Sequence, residues 1–305
     1  MKLDKSGPWL VFVAAMLWAS DAPFRLHLTK ELPSSLIVLL EHAVDVLCVL
    51  PILWWKRAEF AKLTGKEWLA VLVIGVGSSA LASIAFTQAF SYVNPSVAIV
   101  LQKLQPLLAI GLAAALLKEV LPKQFWMWCA VALGGAYVLS FPKLIPQSFP
   151  GETFNPNSIG ILLALTAAAL WAAGTVLGRL VLSRASFQTM TMLRFVVAFL
   201  FLLVLNAWQG TLPAVVRLTG SDWLYVVIIA ITSGVVSLFL YYRGLSRTKA
   251  SVATLAELGF PVAAVLVNYI FLHAALMPAQ IIGMTVLLGS IYMLSRGQQQ
   301  ERQQV

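Results

Sequence analysis

Long apolar runs alternate with short polar separators from one end of the chain to the other. A bilayer core takes about 20 mainly apolar residues per helix. Runs of about that size lie at 8–28, 34–55, 67–90, 96–117, 123–141, 157–182, 186–208, 221–244, 250–272 and 277–295, which predicts ten helices. The separators carry turn or charge signals: Glu31-Leu32-Pro33, Lys56-Arg57, Asn94-Pro95 and Lys118-Glu119. The longest separator holds Pro142, Pro146, Pro150, Gly151 and Pro156 and divides the chain in two. The expected organisation is a first five-helix repeat over 1–145, an outer loop at 146–156, a second five-helix repeat over 157–297, and a cytoplasmic polar tail at 298–305.

The two halves repeat each other. A shift of 155 superimposes Trp68 on Trp223, Ser96-Val97-Ala98 on Ser251-Val252-Ala253, Pro106 on Pro261, Gly134 on Gly289 and Tyr137 on Tyr292. A shift of 153 takes Leu17-Trp18-Ala19 onto Leu170-Trp171-Ala172. Leucine and alanine coincide by chance in such a chain; Trp, Pro, Gly and Tyr at one offset do not. With an odd number of helices per half, the second half enters the membrane from the opposite side. The predicted fold is therefore an all-α integral membrane protein with ten transmembrane helices as two inverted five-helix repeats. That symmetry belongs to alternating-access carriers, which bind their solute at the repeat interface.

Composition closes off other classes. Of 305 residues, 60% are hydrophobic and 11% charged, and the mean hydropathy is +0.87. Soluble domains carry about 25% charged residues, so a soluble enzyme, a disordered chain and a disulfide scaffold are excluded. The net charge of +9 would suggest nucleic acid if it formed one patch, but the basic residues are scattered between apolar runs. Placing the N-terminus inside puts Lys2, Lys5, Lys56, Arg57, Lys118, Arg179, Arg243 and Arg296 among the cytoplasmic segments. Only Arg25, Lys30, Lys143 and Arg217 are left outside, so both termini are expected in the cytoplasm. Cys48 and Cys129 fall inside apolar runs, and His27, His42 and His273 are too far apart for a metal box. No metal, cofactor or catalytic residue is expected. There is no phosphate-binding Gly-rich loop, no Ser/His/Asp arrangement and no His-Glu-x-x-His box.

Ionisable groups inside a membrane are costly and mark function by default. Glu41 and Asp45 lie one turn apart on the second predicted helix, with His42 bordering their face. The cluster suits loading and release of a proton, or binding of a cationic substrate; the plainer reading is pairing with Arg25, Lys103 or Arg194. The fourth helix carries Gln102, Lys103 and Gln105 around Pro106, and the ninth carries Glu257 and Pro261 at the matching offset. Prolines bend membrane helices, so Pro106 and Pro261 are gate candidates, and Gln102 and Glu257 are expected to face a cavity. Trp18 and Trp171 sit inside their spans, where they could stack on an aromatic or cationic ligand or simply pack. Asp21 and Arg25 are four apart and are expected to pair or to form an outer gate. Tyr241, Tyr242 and Arg243 read as the cytoplasmic end of the eighth helix.

Several of these features together resemble the EamA group of the drug/metabolite transporter superfamily, across essentially the whole chain. Its carriers are Leu-Trp-Ala in the first helix of each half, Leu193-Arg194-Phe195, Pro106 and Pro261, Lys118-Glu119, and the Gly134-Gly135 helix. The resemblance implies a secondary transporter, often an exporter of amino acids or similar small metabolites, in a bacterial inner membrane. The alternative it leaves open is an organic-cation or drug carrier with an acidic and aromatic centre. Expected partners are a small-molecule substrate, the lipid bilayer and H⁺, with no nucleic acid, and a homodimer through the fifth and tenth helices. The chain departs from the pattern at Glu41, which stands where the second half has Arg194, and at Ala274, which stands where the first has Glu119.

Overall fold

The structure is a computed structural model describing residues 4–29, 31–89, 92–93, 101–102, 104–141, 143, 158–272 and 277–303. Its described residues are helical with no strand. The expected inter-repeat loop at 146–156, and the matches at Ser96-Val97-Ala98, Lys103, His273 and Ala274, fall outside them.

Helix α1 (Ser6–Trp18) passes through a 3-10 turn at Ala19–Asp21 into α2 (Ala22–Leu28), and α3 (Ser34–Lys56) follows. Helices α4 (Gly65–Leu72) and α5 (Ala82–Ala89) are joined by a π-helical stretch, Val73–Leu81; α6 (Gln105–Leu116) and α7 (Lys123–Ser140) come next. The second half holds α8 (Ser158–Val181), α9 (Phe187–Gln209), and α10 (Gly220–Ile229), which runs through π-helical Ala230–Val236 into α11 (Ser237–Leu245). It ends with α12 (Ala250–Ala256), α13 (Gly259–Leu272) and α14 (Pro278–Gln303). Among the described residues, six stretches are long and apolar enough to cross a membrane: Ser34–Lys62, Gly65–Ala89, Ser158–Val181, Phe187–Gln209, Gly220–Leu245 and Pro278–Gly297.

The repeat is visible in local chemistry. Helices α4 and α10 each begin with a capping box, in which a threonine and an acid three residues on satisfy each other's free N–H groups. Glu67 Oε2 accepts from the Thr64 amide, and Asp222 Oδ2 from the Thr219 amide, each at 2.8 Å. Trp68 and Trp223 are the residues after those acids. The π-helical stretches follow at matching positions in both halves, and both are rich in small residues, with Gly75, Ser78 and Ser79 in one and Ser233 and Gly234 in the other. π-Bulges of this kind concentrate at functional sites.

Helices of one half pack on those of the other in a swapped pattern. Helix α1 lies against α11, α12 and α13, while α8 lies against the first π-helical stretch, α5 and α6. Helix α3 packs on α9, and α7 on α14. The α7–α14 contact is backbone-close, since a Cβ on Gly135 would meet the Gly283 carbonyl oxygen at 3.0 Å. Tyr137 and Tyr292 point out of that pair. On the outside, Leu47, Trp54, Trp55, Leu69, Leu162, Val204, Trp208 and Ile282 are exposed, an apolar coat that a water-soluble protein does not carry.

At the end of the molecule that holds Asp4, carboxylates of the first half cap helices of the second. Glu119 accepts from the amides of Ala250 (2.8 Å) and Ser251 (3.1 Å) at the start of α12, and from Ser251 Oγ (2.6 Å). Glu59 accepts from the Ser186 amide (2.8 Å) and Thr189 Oγ1 (2.7 Å) at the start of α9. Asp4 pairs with Arg247 at 3.5 Å. Capping substitutions cost about 1–2 kcal/mol, so Glu119→Ala should lower the thermal unfolding midpoint in detergent by that much stability. An unchanged midpoint would show that other contacts hold the end of α12.

Candidate functional site

Two helix breaks set the geometry. Proline has no N–H to give to the carbonyl four residues back. Pro106 stands in the first turn of α6, and Pro261 is the third residue of α13, just beyond the interruption that separates it from α12. The carbonyl that Pro261 cannot reach is that of Glu257, which instead accepts from the Phe260 amide at 3.2 Å in a tighter turn. Glu257 is thereby placed at the break itself.

The Glu257 carboxylate collects three donors from three helices. Gln105 Nε2 donates to Oε2 at 2.6 Å, while Tyr241 OH (2.9 Å) and Thr175 Oγ1 (3.0 Å) reach Oε1. The Thr175 and Tyr241 hydroxyls are themselves 2.7 Å apart. Trp18 packs its ring 5.4 Å from that of Tyr241 and donates Nε1–H to Ser237 Oγ at 2.9 Å. One turn before Thr175 on α8, Trp171 packs 5.2 Å from the ring of Phe86. Trp18 with Tyr241 and Trp171 with Phe86 are the same pair in the two halves, related by the shifts of 153 and 155. Each joins the first helix of one half to the third helix of the other.

A second group surrounds Arg194 on α9. Its Nε donates to Ser79 Oγ in the opposite π-helical stretch, and Nη1 donates to Tyr242 OH at 2.9 Å. The rings of Tyr242 and Tyr241 are 5.1 Å apart, so this group adjoins the Glu257 cluster.

A third group lies on α3, on α2 and on the bend before it. Arg25 pairs with both Asp21 and Glu41 at 3.0 Å. Among the described residues, Glu41 Oε1 has no hydrogen-bond partner. His42 is buried, with Nδ1 2.9 Å from the Val38 carbonyl and its ring 5.9 Å from Phe195. Asp45 is 2% exposed, and its Oδ1 also lacks a partner. The Asp45 carboxyl rests directly on Gly234, where any Cβ would collide with it.

Most residues singled out in the sequence therefore fall into three polar groups between the halves, with differences in detail. The hydrogen bond to Glu257 comes from Gln105, while Gln102 is half-buried one turn earlier. Tyr241 and Tyr242, read as the end of the eighth helix, lie about one turn before α11 ends at Leu245, where both are buried and hydrogen-bonded. Thr175, Phe86 and Ser79 carry contacts the sequence reading left unassigned. The repeat offset held the signal for Phe86, since it takes Phe86 onto Tyr241.

Comparisons with known proteins agree with this architecture. The model of the EamA-like transporter family matches twice, over residues 5–141 and 158–296. The chain is 32% identical over 298 residues to the riboflavin transporter ImpX of Fusobacterium nucleatum subsp. nucleatum, covering 95% of this chain and 97% of the relative. It is 29% identical to protein PecM of Dickeya dadantii (92% of this chain, 85% of that one). It is 22% identical to the uncharacterized transporter YetK of Bacillus subtilis (94% and 86%). A solved crystal structure shares the fold with a TM-score of 0.72 at 20% identity, covering 96% of this chain and 98% of the other. Two family matches, one on each half, together with a lipid-facing apolar coat, place this chain in the EamA-like transporter family, as an integral membrane protein that moves small molecules.

Proposed function

We propose that the protein is a secondary transporter that carries a flavin-type planar solute by alternating access between its two five-helix halves. The observation that carries this reading is the central cluster of Glu257, Gln105, Thr175, Tyr241 and Trp18, drawn from helices of both halves and flanked by repeated aromatic pairs. Aromatic walls with a few placed polar groups suit a flat heterocycle, and the relative named as a riboflavin transporter is aligned over nearly its whole length. The site binds and releases; no bond is made or broken there.

Ten membrane crossings are part of this proposal. Beyond the six long apolar stretches, α1 with α2, α6, α7, and α12 with α13 supply the others. Support comes from α7, which runs along the apolar α14 in backbone contact. Placing both termini in the cytoplasm rests on the distribution of basic residues, and the bacterial inner membrane rests on the family. Glu41, His42 and Asp45 are assigned to proton coupling. Of the three, Asp45 is the most exposed to that role, because Glu41 is engaged by Arg25 and His42 by the Val38 carbonyl.

Counterflow in proteoliposomes tests the substrate class and is indifferent to direction and to charge balance. Vesicles loaded with unlabelled riboflavin should accumulate labelled riboflavin from outside, and empty vesicles should not. Accumulation driven by amino acids or by quaternary amines, with none by riboflavin, would overturn the flavin reading.

A further inference from the structure

The Glu257 carboxylate still has something to give after its three bonds. Two carboxylate oxygens offer about four acceptor positions. Oε1 faces the Tyr241 and Thr175 hydroxyls, whereas Oε2 takes a single bond among the described residues, from Gln105. Gln105 in turn spends one of its two amide hydrogens there. A spare acceptor and a spare N–H therefore stand side by side on atoms 2.6 Å apart. Gln105 is 8% exposed while Glu257 is only partly buried, so the pair opens on the Glu257 side. Both are held in place: Glu257 by the helix break and the two hydroxyls, Gln105 by its position in the first turn of α6, beside Pro106.

An acceptor beside a donor is the complement of a cis-amide edge, in which a ring N–H lies next to a ring carbonyl. The pyrimidinedione end of a flavin presents that edge on a rigid plane, with its imide N–H flanked by two carbonyls. Amino acids and quaternary amines present no such edge. The Trp18–Tyr241 ring pair adjoins the carboxylate and offers an aromatic surface to the plane. We propose that Glu257 and Gln105 read the imide edge of a planar heterocyclic substrate, Glu257 accepting the ring N–H and Gln105 donating to the adjacent carbonyl. This rests on the flavin reading above and assigns the residues that set its specificity.

The test compares riboflavin with N3-methylriboflavin, in which the imide hydrogen alone is replaced and the ring system and ribityl chain are kept. A site built to bond an N–H rejects an analogue lacking it far more strongly than one that only senses shape. In the wild-type protein, the concentration giving half-maximal counterflow should be about 100-fold higher for the methylated compound. In Glu257→Gln, the value for riboflavin should rise about tenfold while that for N3-methylriboflavin moves less than about threefold. Equal handling of both flavins by the wild type would overturn the imide assignment and leave flavin transport standing. Movement of neither flavin, with counterflow of another solute, would overturn both. If Glu257→Gln does not fold, the wild-type comparison decides alone.

Discussion

Gly244→Val should unfold or severely destabilise the protein, although the residue touches no polar cluster. Gly244 on α11 faces α1 with no side chain between the backbones. A Cβ there would sit 2.6 Å from the Gly7 carbonyl oxygen, 2.8 Å from Val11 Cγ2 and 2.9 Å from the Val11 amide nitrogen. The contact is reciprocal, since a Cβ on Gly7 would meet the Arg247 carbonyl carbon and oxygen at 2.9 Å. Neither partner is the flexible end of a side chain, so relief requires moving α1 as a body. Overpacking of this kind costs about 3 kcal/mol, and more where backbone must shift. Helix α1 also carries Trp18, so displacement removes the Trp18–Tyr241 pair and the bond to Ser237. The expected result is a lower unfolding midpoint in detergent and no measurable counterflow. Gly111→Ala is the matched control, because Gly111 on α6 has nothing within 4 Å of its missing Cβ. There the better helix propensity of alanine should leave stability equal or higher by up to about 1 kcal/mol. A Gly244→Val protein with wild-type midpoint would show that α1 and α11 are not in backbone contact.

Such close approaches separate what the sequence exposes from what it conceals. The division into halves was legible because rare residues recur at one offset, and the structure gives those residues a reason. Trp68 and Trp223 follow matching capping boxes, and Pro106 and Pro261 stand at matching helix starts. The Asp21–Arg25 pair was legible because four residues make one helical turn, and that spacing survives the bend at Ala19–Asp21. The partner of Glu257 was not. Offset matching makes Gln102 the equivalent of Glu257 and not its contact, and the residue that reaches the carboxylate is Gln105, three further on. Tyr241 was obscured for a different reason. Followed by Tyr242 and Arg243, it reads as part of a helix end, and only its hydrogen bond to Glu257, 16 residues on, ties it to the carboxylate. The hydrogen bond of Arg194 to Ser79 spans 115 residues and depends on how a π-helical stretch turns its side chains, which no single-helix periodicity encodes.

Arg25→Met should be as damaging as the glycine substitution, by electrostatics in place of packing. Among the described residues, Arg25 is the one donor given to Glu41, which is 6% exposed and has an unbonded Oε1. One turn further along α3, the nearly inaccessible Asp45 also lacks a partner for Oδ1. Removing one member of a buried ion pair typically costs about 3–5 kcal/mol, because the other charge is left without compensation. The double variant Arg25→Met/Glu41→Gln should recover part of that loss, since it neutralises the more buried of the two carboxylates that Arg25 holds and leaves only Asp21 without its partner. Thermal midpoints of the two single variants and the double variant form a cycle, with an expected coupling of at least about 2 kcal/mol. Losses that add within about 0.5 kcal/mol would mean that Arg25 and Glu41 do not sense each other. The pair also accounts for the point at which the halves diverge in charge. By the shift of 153, Arg25 corresponds to Gly178 and Glu41 to Arg194. Where the first half places an arginine against a glutamate, the second has a bare glycine against which Tyr242 packs, at 2.9 Å from where a Cβ would be. The Tyr242 hydroxyl then receives the arginine that the second half carries on its other helix. Of these two arginines, Arg25 is held by the carboxylates of Asp21 and Glu41, and Arg194 by the neutral hydroxyls of Ser79 and Tyr242.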